Sequence, residues 1–279
     1  MLPPSVLLAV LLGGALHAAW NVGVRAARDR RQETALVVAG AAVLSAAMLP
    51  FLPLPQAGAW PFLAVSAVLN VGYFALVAAA YDRASVTLAY PLMRGAAPAL
   101  TALAAWLLLG EALPPLGWIG VLAVSAGVLL MARGAAAVTE HAAVRLALAN
   151  AAIIAAYTLA DGMGVRRSGH ALAYTLWLFL LAAGPSLVML LGPVGLLRWR
   201  PSPRAMLRAL GGGGCTIGSY GLALWAMTRA PMAPVAALRE TAMLFGLVLA
   251  RLVLGERPGR RRWLAAGTIA AGAALLRLA

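Results

Sequence analysis

Ten apolar runs of about 18 to 23 residues follow one another along the chain, roughly 5–24, 34–53, 60–80, 86–108, 115–132, 142–163, 171–192, 207–228, 232–253 and 263–278. Short breaks containing Arg, Pro or Gly separate them. A hydrocarbon layer ~30 Å thick is crossed by about 20 residues of helix, so each run has the length of a membrane span. The chain is 63% hydrophobic with a mean hydropathy of +0.90, against about 45–50% for a soluble domain. Lipid must therefore be its solvent. The first run, SVLLAVLLGGALHAAWN, has the apolar core and small-residue end of a signal peptide. Its leader MLPPS carries no basic residue and nine more runs follow, so a retained helix is expected.

The net charge of +14 does not point to nucleic acid. All 22 basic residues are Arg, most in short breaks without interleaved aromatic residues. Fifteen, Arg133 among them, lie in the connections after runs one, three, five, seven and nine; Arg166, Arg167, Arg229 and Arg277 lie on the opposite side. By the positive-inside rule the crowded side is cytoplasmic, and both termini then face outward. Cys215 is the only cysteine, which excludes an internal disulfide and a Cys-based metal site.

The chain repeats itself. A shift of 145 residues lays MRG over LRE, with Arg94 on Arg239, and LLLGEALPPLGW over LVLGERPGRRRW. Gly110, Glu111, Trp118 and Gly127 then match Gly255, Glu256, Trp263 and Gly272. With a short insertion, HAAWNVGVR can be laid on AAYTLADGMGVR, pairing Trp20 with Tyr157 and Gly23 with Gly164. The expected architecture is an all-α membrane protein of ten transmembrane helices in two five-helix repeats, 1–134 and 142–279. Because five is odd, the repeats are inverted relative to each other, as in many secondary transporters with a site at the repeat interface.

Two five-span halves, each with GE closing its fourth span and a Trp then a Gly in its fifth, resemble EamA-type members of the drug/metabolite transporter superfamily. The resemblance covers essentially the whole chain. It implies transport, often export, of small polar metabolites through a cavity between the halves. It also implies cytoplasmic termini, opposite to the arginine distribution.

The charges inside the spans are the candidate site. An Arg at a helix centre disfavours insertion by roughly 2.5–3.5 kcal/mol, while a Leu there contributes only about −0.6 kcal/mol. Arg94 lies about 12 Å deep at 1.5 Å per residue, and Arg239 and Glu240 stand side by side within a span. Such charges mark substrate or ion paths, or tie helices together. Adjacent helix residues do not face each other, so Arg239 cannot rely on Glu240 alone. Tyr90, one turn before Arg94 beside Pro91, would cradle an anion with it; Pro91 and Pro98 would otherwise simply bend the helix. Asp161, with Tyr157 one turn before it, is a candidate for a substrate ammonium or a coupling proton, as is Glu240; Asp161 would otherwise be an interfacial partner of Arg166 or Arg167. His17, Trp20 and Asn21 share one region of the first span and would line the cavity mouth, or hydrogen-bond between helices like Asn70 and Asn150. Glu111 and Glu256 read as helix-terminal markers. GGGGCTIGSYG permits close helix contact but lacks the Lys and Ser/Thr of a phosphate loop.

The expected protein is a secondary transporter, an exporter, of a small anionic or zwitterionic metabolite such as an amino acid, phosphonate or organic acid, working by alternating access in a bacterial-type cytoplasmic (inner) membrane. A flippase for a lipid-linked headgroup would use the same groove. Three scattered His and one Cys give no spacing for an enzyme, a metal or a cofactor. The partners are the substrate, a coupling proton, the lipid bilayer and, through small-residue faces of spans five and ten, either a second copy or the other half of the same chain.

Overall fold

The computed structural model describes residues 1–131 and 141–279, so Arg133 and the repeat boundary at 134 lie outside the described residues. The chain forms α1 (Pro4–Ala26), α2 (Arg30–Met48), α3 (Trp60–Tyr81), α4 (Val86–Leu109), α5 (Pro115–Leu130), α6 (His141–Arg167), α7 (Ala171–Leu191), a short α8 (Pro193–Arg198), α9 (Pro203–Met227), α10 (Met232–Leu238), α11 (Ala242–Leu254) and α12 (Arg260–Leu278). Every apolar run falls on a helix, because run length is a local property that helix formation reads directly. Six helical stretches among the described residues are long and apolar enough to cross a membrane: Pro4–Ala26, Arg30–Phe51, Ala57–Tyr81, Leu88–Leu109, His141–Arg167 and Ala171–Leu191. The other four runs differ for visible reasons. The α5 helix has 16 residues, α9 opens with two Arg and a run of glycines, α12 opens with three Arg, and the run at 232–253 is divided.

The Gly-Glu pairs end their helices for a backbone reason. Gly110 and Gly255 both stand at φ 67°, a left-handed conformation that costs glycine nothing. The chain turns there, and the amides of Glu111 and Glu256 donate back to the carbonyls of Ala105 and Ala250.

The outer surface carries large apolar side chains such as Leu8, Leu12, Leu108 and Leu252, whereas much of the interior is Ala, Gly and Ser. In lipid, where helices gain little by burying Leu, small residues bring backbones together. Gly40 of α2 lies against the Ala209 backbone of α9, and Gly213 of α9 against Gly40 and Ala41; a methyl group at either glycine would strike backbone. Gly120 and Gly127 of α5 face Gly272 and Ile269 of α12 in the same way, so the small-residue faces of spans five and ten meet within one chain.

The two repeats interlock. The first helix of each packs on the other repeat's helices: α1 on α9 and α11, α6 on α3 and α4, while α2 contacts both α7 and α9. Both termini lie at one end of the bundle, where the Met1 amine donates to the Ala279 carbonyl at 3.1 Å. At the other, arginine-rich end, Arg31 donates to the Met189 and Leu190 carbonyls and Arg208 pairs with Glu33 at 3.1 Å.

Candidate functional site

Three charges from the two repeats meet inside the bundle. Arg94 of α4 and Glu240 form a two-pronged ion pair, Nη2 to Oε1 at 2.7 Å and Nε to Oε2 at 3.2 Å. Their side chains are 11% and 4% exposed. Fork-to-fork geometry satisfies both groups where water is excluded, which is what makes a buried pair tolerable.

Arg239 and Glu240 diverge because the helix does not continue through them. Residues Arg239–Thr241 form a 3-10 turn between α10 and α11. With three residues per turn, successive side chains point roughly 120° apart. Glu240 thus reaches across to α4, while the Arg239 guanidinium lies 4.6 Å from the ring centre of Tyr220 on α9. Among the described residues Arg239 has no carboxylate partner.

Asp161 is fully buried on α6, where it accepts hydrogen bonds from the Tyr174 hydroxyl at 3.0 Å and the Tyr220 hydroxyl at 2.5 Å. Tyr220 therefore stands between the carboxylate and the guanidinium, its ring under Arg239 and its hydroxyl on Asp161. Arg166 instead pairs with Glu111 at 2.6 Å, and Arg167 lies 4.9 Å from the Phe62 ring centre, so neither serves as the partner of Asp161.

A cavity of about 250 Å³ adjoins these groups. At ~30 Å³ per water it has room for roughly eight waters, or a molecule of amino-acid size. Arg94, Arg239, Tyr90, Tyr157, His17, Trp20 and Asn21 all line it; Asp161 and Glu240 sit behind the wall. The Trp20 ring meets His17 edge-on at 5.3 Å, and Asn21 Nδ2 donates to the His17 carbonyl at 2.8 Å. The buried Trp20 Nε1 donor has no hydrogen-bond partner among the described residues. Thr34 and Val37, early in α2, and Ser186, late in α7, also line the cavity, which runs toward the arginine-rich end. Toward the terminal end the space is filled: Leu63, Tyr174, Met227 and every residue of α10 are buried.

Several wall residues were missed or read otherwise from the sequence: Tyr73, Phe74 and Tyr220 were not singled out, and Asn70 was expected to hydrogen-bond between helices. Asn70, Tyr73 and Phe74 of α3 stand at i, i+3 and i+4, a helical face that periodicity alone would mark. Asn70 Nδ2 also donates to the Ser66 carbonyl at 2.9 Å, within its own helix. Tyr220 has no such signal, since it follows a glycine run that reads as a packing motif. Glu111 and Glu256 do end helices, but both are also ion-paired: Glu256 meets Arg25 at 2.7 Å.

The comparisons with known proteins agree with this architecture. The model of the EamA-like transporter family matches residues 4–133 and again 141–278. The chain thus belongs to the EamA-like transporter family, with two copies of its repeat, and is a multi-pass membrane protein. A solved crystal structure, 21% identical, shares the fold with a TM-score of 0.72, over 97% of this chain and 96% of its own. No curated protein sequence matches.

Proposed function

We propose, from membership of this transporter family and from the charges around the cavity, that the protein is a secondary transporter of a small anionic or zwitterionic metabolite, and not an enzyme. The observation that carries the reading is Arg239: a guanidinium on the cavity wall with no carboxylate partner among the described residues. Arg94 and Glu240 neutralise one another, so the three charges leave one positive charge facing the cavity. A substrate carboxylate or phosphonate would complete Arg239 by a charge-assisted pair. Trp20 Nε1 offers a further donor, and Tyr90 and Tyr157 shape the wall. Asp161 would take a coupling proton, linked to the anion site through Tyr220.

In this reading ten helices cross the membrane as two inverted five-helix repeats, 1–134 and 142–279, and one repeat rocks against the other in alternating access. With the arginine-rich end cytoplasmic in a bacterial-type inner membrane, the cavity mouth faces the cytoplasm, the loading side for export. The test is ligand-induced thermal stabilisation of the purified protein against amino acids, phosphonates, organic acids and amines, beside Arg239→Leu. Anions or zwitterions should raise the melting temperature of the wild type and not of the variant. Stabilisation by amines alone, or an equal response in both proteins, would remove Arg239 from the site.

A further inference from the structure

The ion pairs made by the two Gly-Glu motifs are related by the repeat, but one is finished and the other is half built. Laying Gly23 on Gly164 puts Arg25 of α1 on Arg166 of α6, as Glu256 matches Glu111. In each pair the arginine comes from the first helix of one repeat and the glutamate from the end of the fourth span of the other. Arg166–Glu111 stands at the terminal end of the bundle and Arg25–Glu256 at the arginine-rich end.

At the terminal end the pair grips a third element. Arg166 donates from Nη1 to Glu111 at 2.6 Å, from Nε to the Met227 carbonyl at 2.7 Å and from Nη2 to the Ala230 carbonyl at 2.9 Å. The other oxygen of Glu111 accepts from the Met232 amide at 2.7 Å. These bonds fasten α4 and α6 to the connection between α9 and α10, and the cavity is closed on that side. At the arginine-rich end Arg25 is half exposed and, among the described residues, held by Glu256 alone; Glu256 has a second arginine, Arg262, at 3.6 Å. The cavity mouth lies toward this end.

The element that the second pair lacks exists. Arg83-Ala84 after α3 matches Arg229-Ala230 after α9, and the two turns are built alike. The amides of Arg83 and Ala84 donate to the Ala80 carbonyl as those of Arg229 and Ala230 donate to that of Ala226. The carbonyls of Tyr81 and Ala84 are therefore the counterparts of those of Met227 and Ala230.

We propose that Arg166–Glu111 and Arg25–Glu256 are the two gate clasps of the transport cycle, each closing its own end by seizing the backbone turn that follows the third span of one repeat. The inference rests on the alternating-access reading. Inverted repeats exchange the environments of their two ends when the cavity changes sides. In the opposite state Arg25 bonds the Tyr81 and Ala84 carbonyls, and Arg166 retains Glu111 while releasing the α9–α10 turn.

The test uses pairs of spin labels related by the repeat, in lipid nanodiscs and a Cys215→Ser background. One pair, at Leu108 and Thr228, spans the terminal end; the other, at Asp82 and Val253, spans the arginine-rich end. All four positions are exposed. Both pairs should show a short and a long distance, populated in opposite senses. Glu111→Gln should shift the Leu108–Thr228 ratio toward the long distance about tenfold, and Glu256→Gln should shift it the other way. The opposed directions separate gating from general loss of structure. If both pairs interconvert but neither variant moves the ratio, alternating access stands and the clasps are not gates. A single distance at each end in every variant would remove alternation itself, and the gates with it.

Discussion

Arg94 and Arg239 occupy the same position in the two repeats, yet one is locked and the other is available. In the first repeat, α4 runs unbroken from Val86 to Leu109 through Pro91 and Pro98, and Arg94 is held by both oxygens of Glu240. In the second repeat the helix tightens at Arg239–Thr241 and presents its guanidinium over Tyr220. The difference traces to the next residue. Where the second repeat has Glu240 the first has Gly95, and a Cβ there would fall 2.7 Å from Leu129 of α5. A single acidic side chain in one repeat thus neutralises the arginine of the other, turning a symmetric pair of cations into one arginine that is ion-paired and one without a carboxylate partner among the described residues.

The comparison is open to attack at each member. The largest effect is expected from Glu240→Ala, which strands Arg94 where its side chain is only 11% exposed. Loss of one partner of a buried pair costs about 3–5 kcal/mol, seen as a marked fall in melting temperature. The double variant Arg94→Met, Glu240→Leu should recover most of it, because an apolar replacement removes the stranded charge. If Glu240→Ala melts like the wild type, Arg94 is not locked and the contrast fails.

A middle-sized loss, about 1–3 kcal/mol, is expected for Asp161→Asn, which weakens the acceptor of both Tyr174 and Tyr220. Adding Tyr220→Phe should cost less than the sum of the two single changes, since both remove the same bond. Full additivity would break the Asp161–Tyr220 link. The smallest change in stability is expected for Arg239→Leu. It forfeits a cation–π contact of about 0.5–2 kcal/mol while relieving the insertion cost of an unpaired charge, so the melting temperature should move little even as the ligand response disappears. A loss as large as that of Glu240→Ala would make Arg239 structural and erase the distinction.

The positions of the helices and the existence of two repeats were legible because apolar run length, glycine stops and recurring motifs are properties of contiguous sequence. Arg94, Arg239, Tyr90 and Trp20 stood out for a similar reason, being polar or amphipathic groups within apolar runs. Asp161 and Glu240 were equally visible as intramembrane charges, yet both lie behind the cavity wall. Their partners, Tyr174, Tyr220 and Arg94, are 13 to 146 residues away in the chain, and no local periodicity encodes such distances.

By itself, then, the sequence determined a membrane-solvated, all-helical chain of two repeats carrying a few costly internal charges, since the energy of placing a side chain in lipid depends on that side chain and its near neighbours. Only the tertiary structure decided which charges pair, which of them line the cavity and which end of the bundle is closed. Those outcomes depend on Coulomb and hydrogen-bond contacts that act over a few ångströms and form between helices remote in the chain.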